Sequence, residues 1–313
     1  MKFCLSIEIQ EGLDYAATRA FTQAGEAAGF DAALLAEHYY SSSGHLDLMA
    51  ADAWVFLGAL ARDTRRIRLG TLVSPVTFRH PAVLAKMAAT LDHLSGGRAE
   101  LGLGAGWLAA EHAAYGFPFA SGPARVDLLE EQLQVIIGLW SEDPFSHTGT
   151  AYHLEACHFT PRPIQQPHPP ILIGGTPTAT RLPRLTARYA DEYVLGLGTP
   201  EQCRAVRARL DRDCTAAGRD PHAVSLALFA GVCVAETPRE VEATFARLQE
   251  GARPHMANRD TWIIGTPEQV VTRLRELEDA GVARLMCSVD HELHHDMVTL
   301  IGEQVIPVIR SAA

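Results

Sequence analysis

The feature that most constrains this chain is an alternation. Strand-like and helix-like hydrophobic patterns take turns along the whole of its 313 residues. Short apolar or two-residue alternating runs fall at 3–9, 31–36, 67–73, 99–103, 170–175, 193–197, 224–235 and 285–289. Helical stretches follow them: 15–28, a helix ending near Ala61, 81–94, 127–140 and 178–190, then one after each remaining strand. In the 127–140 stretch Leu128, Leu129, Leu133, Ile136, Ile137 and Trp140 recur at helical spacing. Strand–helix units repeated in this way predict an α/β fold, a (β/α)8 TIM barrel with insertion loops, and an open doubly wound sheet is the rival. No repeat, low-complexity tract or linker interrupts the chain, so a single domain over 1–313 is expected. Residues 143–170 and 254–262 break the pattern, and the first reads as an inserted loop or hairpin serving as a lid.

Hydrophobic residues make up 47% of the chain, enough for a large core, and the formal charge of −10 argues against general nucleic-acid binding. No apolar run is long enough to cross a membrane. The N-terminus reads as a first strand rather than a signal peptide. Six cysteines are scattered without a Cys-x-x-Cys pair. They are expected to be reduced thiols of a cytoplasmic protein.

Barrel active sites lie at the C-terminal ends of the strands. Gly102, Gly104 and Gly106 leave one edge of the fourth strand without side chains, which suggests a planar cofactor lying against it. The bland alternative is a tight strand-to-helix turn. The Gly-x-Gly-x-Gly spacing does not match the dinucleotide fingerprint. At the second strand end Glu37-His38 offers an acid–base pair, since imidazole titrates near neutrality and exchanges protons with carbonyls or alcohols. A pair that merely ties down the loop is the competing reading. Gly174, Gly175 and Thr176, followed by Thr178 and Thr180 at a helix start with Arg181 or Arg184 nearby, make a phosphate seat or ordinary capping. His-Glu-x-x-His at 291–295 matches a zinc motif but has no third histidine downstream, so no metal site is expected.

The run from Thr71-Leu-Val-Ser-Pro to Leu-Ser-Gly-Gly-Arg98, its continuation Leu-Gly-Leu-Gly-Ala-Gly-Trp107, and Glu111-His112 together resemble the bacterial luciferase-like, flavin- or F420-dependent oxidoreductases. So do Ile171-Leu-Ile-Gly-Gly175, Ala190-Asp191 and Gly265-Thr-Pro-Glu-Gln-Val-Val271. The resemblance spans nearly the whole chain and is closest to the branch assigned to the deazaflavin coenzyme F420. It implies hydride transfer to or from a small organic substrate. The alternatives are an FMN-dependent monooxygenase using reduced flavin and O2, and a flavin-binding protein without catalysis. It also implies His38 and Glu37 as catalytic residues. The cofactor would contact Thr71, Leu72, Val73, Gly104, Ala105, Gly106, Trp107, Gly174, Gly175 and Thr176. Tyr39, Tyr40 and Trp107 would form the substrate pocket. A non-proline cis peptide is expected at Thr71–Leu72. Expected partners are a small-molecule substrate, a second copy of the chain and a separate reductase supplying reduced cofactor. The usual Ala-Asp-Gly of this family is Ala190-Asp-Glu192 here.

Overall fold

The computed structural model describes residues 1–41, 44–250, 258–289 and 294–311. Eight strands run parallel: β1 (Lys2–Ile7), β2 (Ala32–Leu35), β3 (Arg68–Thr71), β4 (Ala99–Gly104), β5 (Ile171–Gly175), β6 (Glu192–Gly196), β7 (Ser225–Val234) and β8 (Arg284–Ser288). Each pairs with its neighbours in chain order, and β8 pairs with β1, which closes the barrel. The helices form the outer ring. They are α1 (Tyr15–Ala27), α2 (Ala53–Asp63), α3 (Pro81–Ser95), α4 (Ala109–Tyr115), α5 (Gly122–Ser141), α6 (Leu182–Tyr189), α7 (Pro200–Ala216), α8 (Pro238–Glu250), α9 (Pro267–Asp279), α10 (His294–Leu300) and α11 (Ile306–Arg310). The open-sheet rival is thereby excluded. None of the described helices is long and apolar enough to cross a membrane.

Local chemistry sets the helix ends. Asp14 caps α1 by accepting from the Ala17 N–H at 2.8 Å. Gly96, at φ +70°, ends α3 in the left-handed region that suits glycine. Thr-Pro-Glu-Gln occurs twice, at 199–202 and 266–269, and each copy starts a helix with a reciprocal capping box.

Pairing register sends alternate residues into the barrel. Cys4, Ala32, Leu34, Leu172, Val194, Ala227 and Met286 form one interior cluster, while a larger apolar core lies between strands and helices. Towards the N-terminal end the interior becomes charged. Arg284 Nη1 donates to Glu100 at 2.8 Å and to Glu192 at 3.1 Å, and Arg68 Nε donates to Glu100 at 2.5 Å. Glu192, the departure from Ala-Asp-Gly, is thus one of the acids facing Arg284.

The 143–170 insertion links α5 to β5. It forms an antiparallel hairpin, Phe145–Thr148 with His153–Cys157. Glu131 on α5 accepts from the N–H groups of 150–152 at the hairpin turn. Lys86 on α3 holds the Thr160 carbonyl at 2.5 Å, and Asp92 accepts from the N–H of Ile164 and Gln165. A helix returns antiparallel to its strand, so the segment joining α5 to β5 begins and ends at the N-terminal face, while Tyr152 near its turn reaches along α5 to accept from Gln132 at 2.9 Å and to meet the His80 ring at the start of α3. The zinc-like run at 291–293, and residues 254–257 of the second irregular loop, lie outside the described residues. Among the described residues no cluster of three or more His, Cys, Asp or Glu is arranged to hold a metal.

Candidate active site

The segment 36–41 leaves the C-terminal end of β2 and carries His38 to the barrel mouth. His38 Nδ1 lies 3.0 Å from Glu111 Oε2. Glu111 sits in the first turn of α4, is 0% exposed, and also accepts the Tyr39 N–H through Oε1. A carboxylate against Nδ1 makes that nitrogen the donor and leaves Nε2 for another partner. The imidazole is further fixed edge-on against Trp107, with ring centroids 5.6 Å apart. Trp107 itself is 56% exposed. Glu111 was not singled out for this role by sequence reasoning. It stands 73 positions from His38, and only its place in the Glu111-His112 pair marked it.

Glu37 is set behind the mouth. Its carboxylate is 2% exposed, accepts from Ser74 Oγ and Arg79 Nη1, and lies 3.3 Å from Trp54 Nε1. Burial pushes this carboxyl up, against the pull of Arg79 and Ser74. Arg79 also donates to the Tyr39 hydroxyl and to Asp52, each at 3.0 Å. Tyr39 is taken up in an aromatic cluster with Phe78, Tyr115 and Phe117. Tyr40 stands at its edge, 6.5 Å from Tyr115. Of the three expected pocket residues, only Trp107 directly contacts the His38 ring in this arrangement.

The glycine edge of β4 is closely approached by the chain beyond β3. A Cβ on Gly102 would sit 2.0 Å from the Thr71 carbonyl oxygen, and one on Gly104 would sit 2.6 Å from Val73 Cγ2. The chain beyond β3 passes close beside β4 there, so Gly102 makes room for the Thr71 backbone and Gly104 for the Val73 side chain. Gly102→Ala therefore destabilises the fold by about 1–3 kcal/mol, read as a lower urea midpoint. The non-proline cis peptide is present, but it is Leu72–Val73 rather than Thr71–Leu72. The reason is pairing: the Leu72 N–H still donates to the Leu35 carbonyl at 2.8 Å, so the Thr71–Leu72 peptide belongs to the ladder. Thr71 is fully buried and donates its hydroxyl to Gly102 O at 3.0 Å. Leu72 and Val73, half-buried, form the shelf at the mouth. After Gly104, Arg125 holds the turn by donating to Ala105 O at 3.0 Å and Gly106 O at 3.3 Å, and Gly106 adopts φ +76°.

The phosphate seat also differs in detail. The helix begins at Leu182, not near Thr178, so the threonines lie in a turn before it. Arg181 is paired with Asp127 on α5 at 2.5 Å. The Tyr193 hydroxyl donates to Thr176 O at 3.1 Å, and a Cβ on Gly175 would fall 2.2 Å from that hydroxyl, so the glycine permits the contact. Thr176 Oγ1 lies 3.2 Å from Thr178 Oγ1 on the exposed side of this turn. A Cβ on Gly196 would meet only the Gly175 carbonyl oxygen, at 3.4 Å. The shelf, these side-chain-free strand ends and the hydroxyl-bearing turn fit a flat ring with an anionic tail.

Comparison with known proteins accords with this arrangement. The family model of the luciferase-like monooxygenases matches residues 1–260. The FMNH2-dependent dimethylsulfone monooxygenase of Pseudomonas putida is 26% identical, over 97% of this chain and 90% of its own. The F420-dependent glucose-6-phosphate dehydrogenase of Microbacterium testaceum is 29% identical, over 91% of this chain and 90% of its own. The crystal structure of monooxygenase RslO1 from Streptomyces bottropensis superposes with a TM-score of 0.81 at 25% identity, covering 98% of this chain and 99% of that one. A closed parallel barrel, a histidine held at its catalytic mouth and a family match over most of the sequence lead to one conclusion: this chain is an enzyme belonging to the bacterial luciferase-like family of flavin- and F420-dependent oxidoreductases.

Proposed function

We propose that the chain is a monooxygenase using reduced FMN, with His38 as the group that exchanges a proton with the substrate. The His38–Glu111 pair at the mouth carries this reading, because the carboxylate engages Nδ1 and leaves Nε2 available for proton exchange. Reduced FMN, when bound, supplies the electrons that activate O2 for transfer of one oxygen atom to the substrate. Leu72, Val73, Gly104, Ala105 and Gly106 hold the ring, and Gly174, Gly175 and Thr176 hold its phosphate. Trp107 and Tyr40 flank the substrate. Glu37 acts through its bonds to Ser74 and Arg79, fixing the strand ends behind the site. The relatives named as FMNH2-dependent favour flavin that arrives already reduced, supplied by a separate reductase.

The preference for FMN rests on the relatives. The two FMNH2-dependent dimethylsulfone monooxygenases align over 97% and 96% of this chain. A second reading, hydride transfer with coenzyme F420, draws on the 29% identical dehydrogenase, and the same histidine would take the proton of an alcohol. Parallel titrations of the purified chain with FMN and with coenzyme F420, followed by fluorescence quenching, separate them. Saturable FMN binding at least about tenfold tighter than that of F420, a gap of roughly 1.4 kcal/mol, supports the monooxygenase reading. The reverse order replaces it with hydride transfer. Binding of neither refutes both.

A further inference from the structure

The turn that follows β4 is gripped from two sides. Arg125, near the start of α5, donates Nε to Ala105 O at 3.0 Å and Nη2 to Gly106 O at 3.3 Å. These two nitrogens form one edge of the guanidinium, so a single side chain takes two successive carbonyls through side-by-side N–H bonds. Nη1 donates to Ala120 O, and the guanidinium lies over the Phe119 ring, 3.8 Å from its centroid. Phe119 packs in turn on His112, with ring centroids 4.4 Å apart. His112 is 1% exposed. Its Nδ1 lies 2.8 Å from the Leu108 carbonyl and is the donor there, so in the neutral ring Nε2 accepts from the Thr77 hydroxyl at 2.6 Å. A Cβ on Gly106 would stand 3.2 Å from that hydroxyl, which makes the Thr77–His112 pair the second side of the grip. His112 is also the neighbour of Glu111, the partner of His38, so one helix registers both the turn and the imidazole.

The grip fixes which way the peptide groups of the turn face. The Ala105–Gly106 and Gly106–Trp107 peptides are trans, and in a trans peptide the N–H points opposite to the C=O. Both carbonyls are turned to Arg125, on a helix of the outer ring. The N–H groups of Gly106 and Trp107 are therefore turned to the other side, that of the barrel mouth. Gly106 is half-buried, and among the described residues no protein group accepts its N–H.

We propose that Arg125 is a positioning residue for the cofactor. By holding the carbonyls of Ala105 and Gly106 it aims the Gly106 N–H as a hydrogen-bond donor at the polar edge of the flavin or deazaflavin ring. The inference rests on the ring seat at 104–106. Both cofactors carry the same pyrimidinedione edge, so it holds whichever of them binds.

Titration of the purified full chain with oxidised FMN and with oxidised coenzyme F420 tests it, read by fluorescence quenching and by the visible absorption bands of the bound cofactor. Each variant is titrated at a temperature at which its apo form is fully folded. Arg125→Lys keeps the charge but cannot bridge two carbonyls, and is expected to weaken binding at least about tenfold. It also shifts the bands at saturation, because their position reports hydrogen bonds to the ring. Arg125→Ala behaves alike, and added methylguanidinium restores its affinity. Arg188→Ala, which removes a bond to Glu130 on the outer side of α5, leaves the affinity within about twofold. Thr77→Val loosens the other side of the turn, weakens binding about threefold, and carries the test if the Arg125 variants do not fold. Unchanged affinity and unshifted bands in the folded variants overturn the proposal and leave the cofactor reading intact. A lower urea midpoint with unchanged affinity does so too, since Arg125 would then only brace the fold. Binding of neither cofactor by the unmutated chain overturns the seat and the proposal together.

Discussion

His38→Ala lowers kcat by roughly 10²–10⁴-fold, the usual contribution of a positioned proton-transfer group, while flavin affinity stays within about threefold. The asymmetry follows from where the ring stands. Its Nδ1 is committed to Glu111 at 3.0 Å, its flank to Trp107, and neither contact forms part of the phosphate seat at Gly174, Gly175 and Thr176. Added imidazole restores part of the rate in the alanine variant if the lost function is proton exchange. It restores none if His38 merely braces the loop. Glu111→Gln is the companion experiment: it keeps a partner for Nδ1 but removes the charge that selects the tautomer, so kcat falls with little change in KM for the flavin. Equal losses in kcat and in flavin affinity for both variants would point to a collapsed mouth instead.

Arg284→Ala destabilises the protein by about 3–5 kcal/mol, because removing one partner of a buried ion pair strands the charge left behind. Here two charges are stranded. Glu100 and Glu192 both face Arg284 inside the barrel, and only Glu100 has a second guanidinium, that of Arg68. Burial already pushes the Glu192 carboxyl up even with Arg284 in place, whereas Arg284 and Arg68 overcome burial and hold Glu100 below the usual range. Glu100 thus contributes stability above the unfolded carboxylate range, and that contribution is lost as pH falls through its lowered folded value. Glu192 acts in the opposite sense: its contribution is present below the unfolded carboxylate range and is lost as pH rises through its raised folded value. In urea unfolding the cost of Arg284→Ala is therefore largest near neutral pH and shrinks on acidification as both acids become protonated. A cost independent of pH would mean that packing, not charge, sets the role of Arg284.

The barrel was legible because its signals are local. Two-residue and 3.6-residue periods can be read within a dozen positions, and the strand ends then follow from the fold. His38 and the 174–176 turn lie at strand ends located in this way. What the sequence concealed depends on what passes in front of what. Gly102 and Gly104 read as an opening for a ligand because nothing local shows that Thr71 and Val73 cross that edge. The composition of 143–170 marks an irregular excursion but not the end of the barrel to which it belongs; its place between α5 and β5 in the chain does. Glu111 is an ordinary helix residue until the fold sets its carboxylate against His38. Arg284 and Glu192 likewise meet only when strands 92 residues apart close the barrel.

The most direct test of the account is a crystal structure of the chain with FMN bound. The account predicts the flavin ring on the Leu72–Val73 shelf, His38 Nε2 facing the space beside it, and the phosphate against Gly175 and Thr176. A flavin seated elsewhere, with the shelf and the 174–176 turn empty, would contradict it.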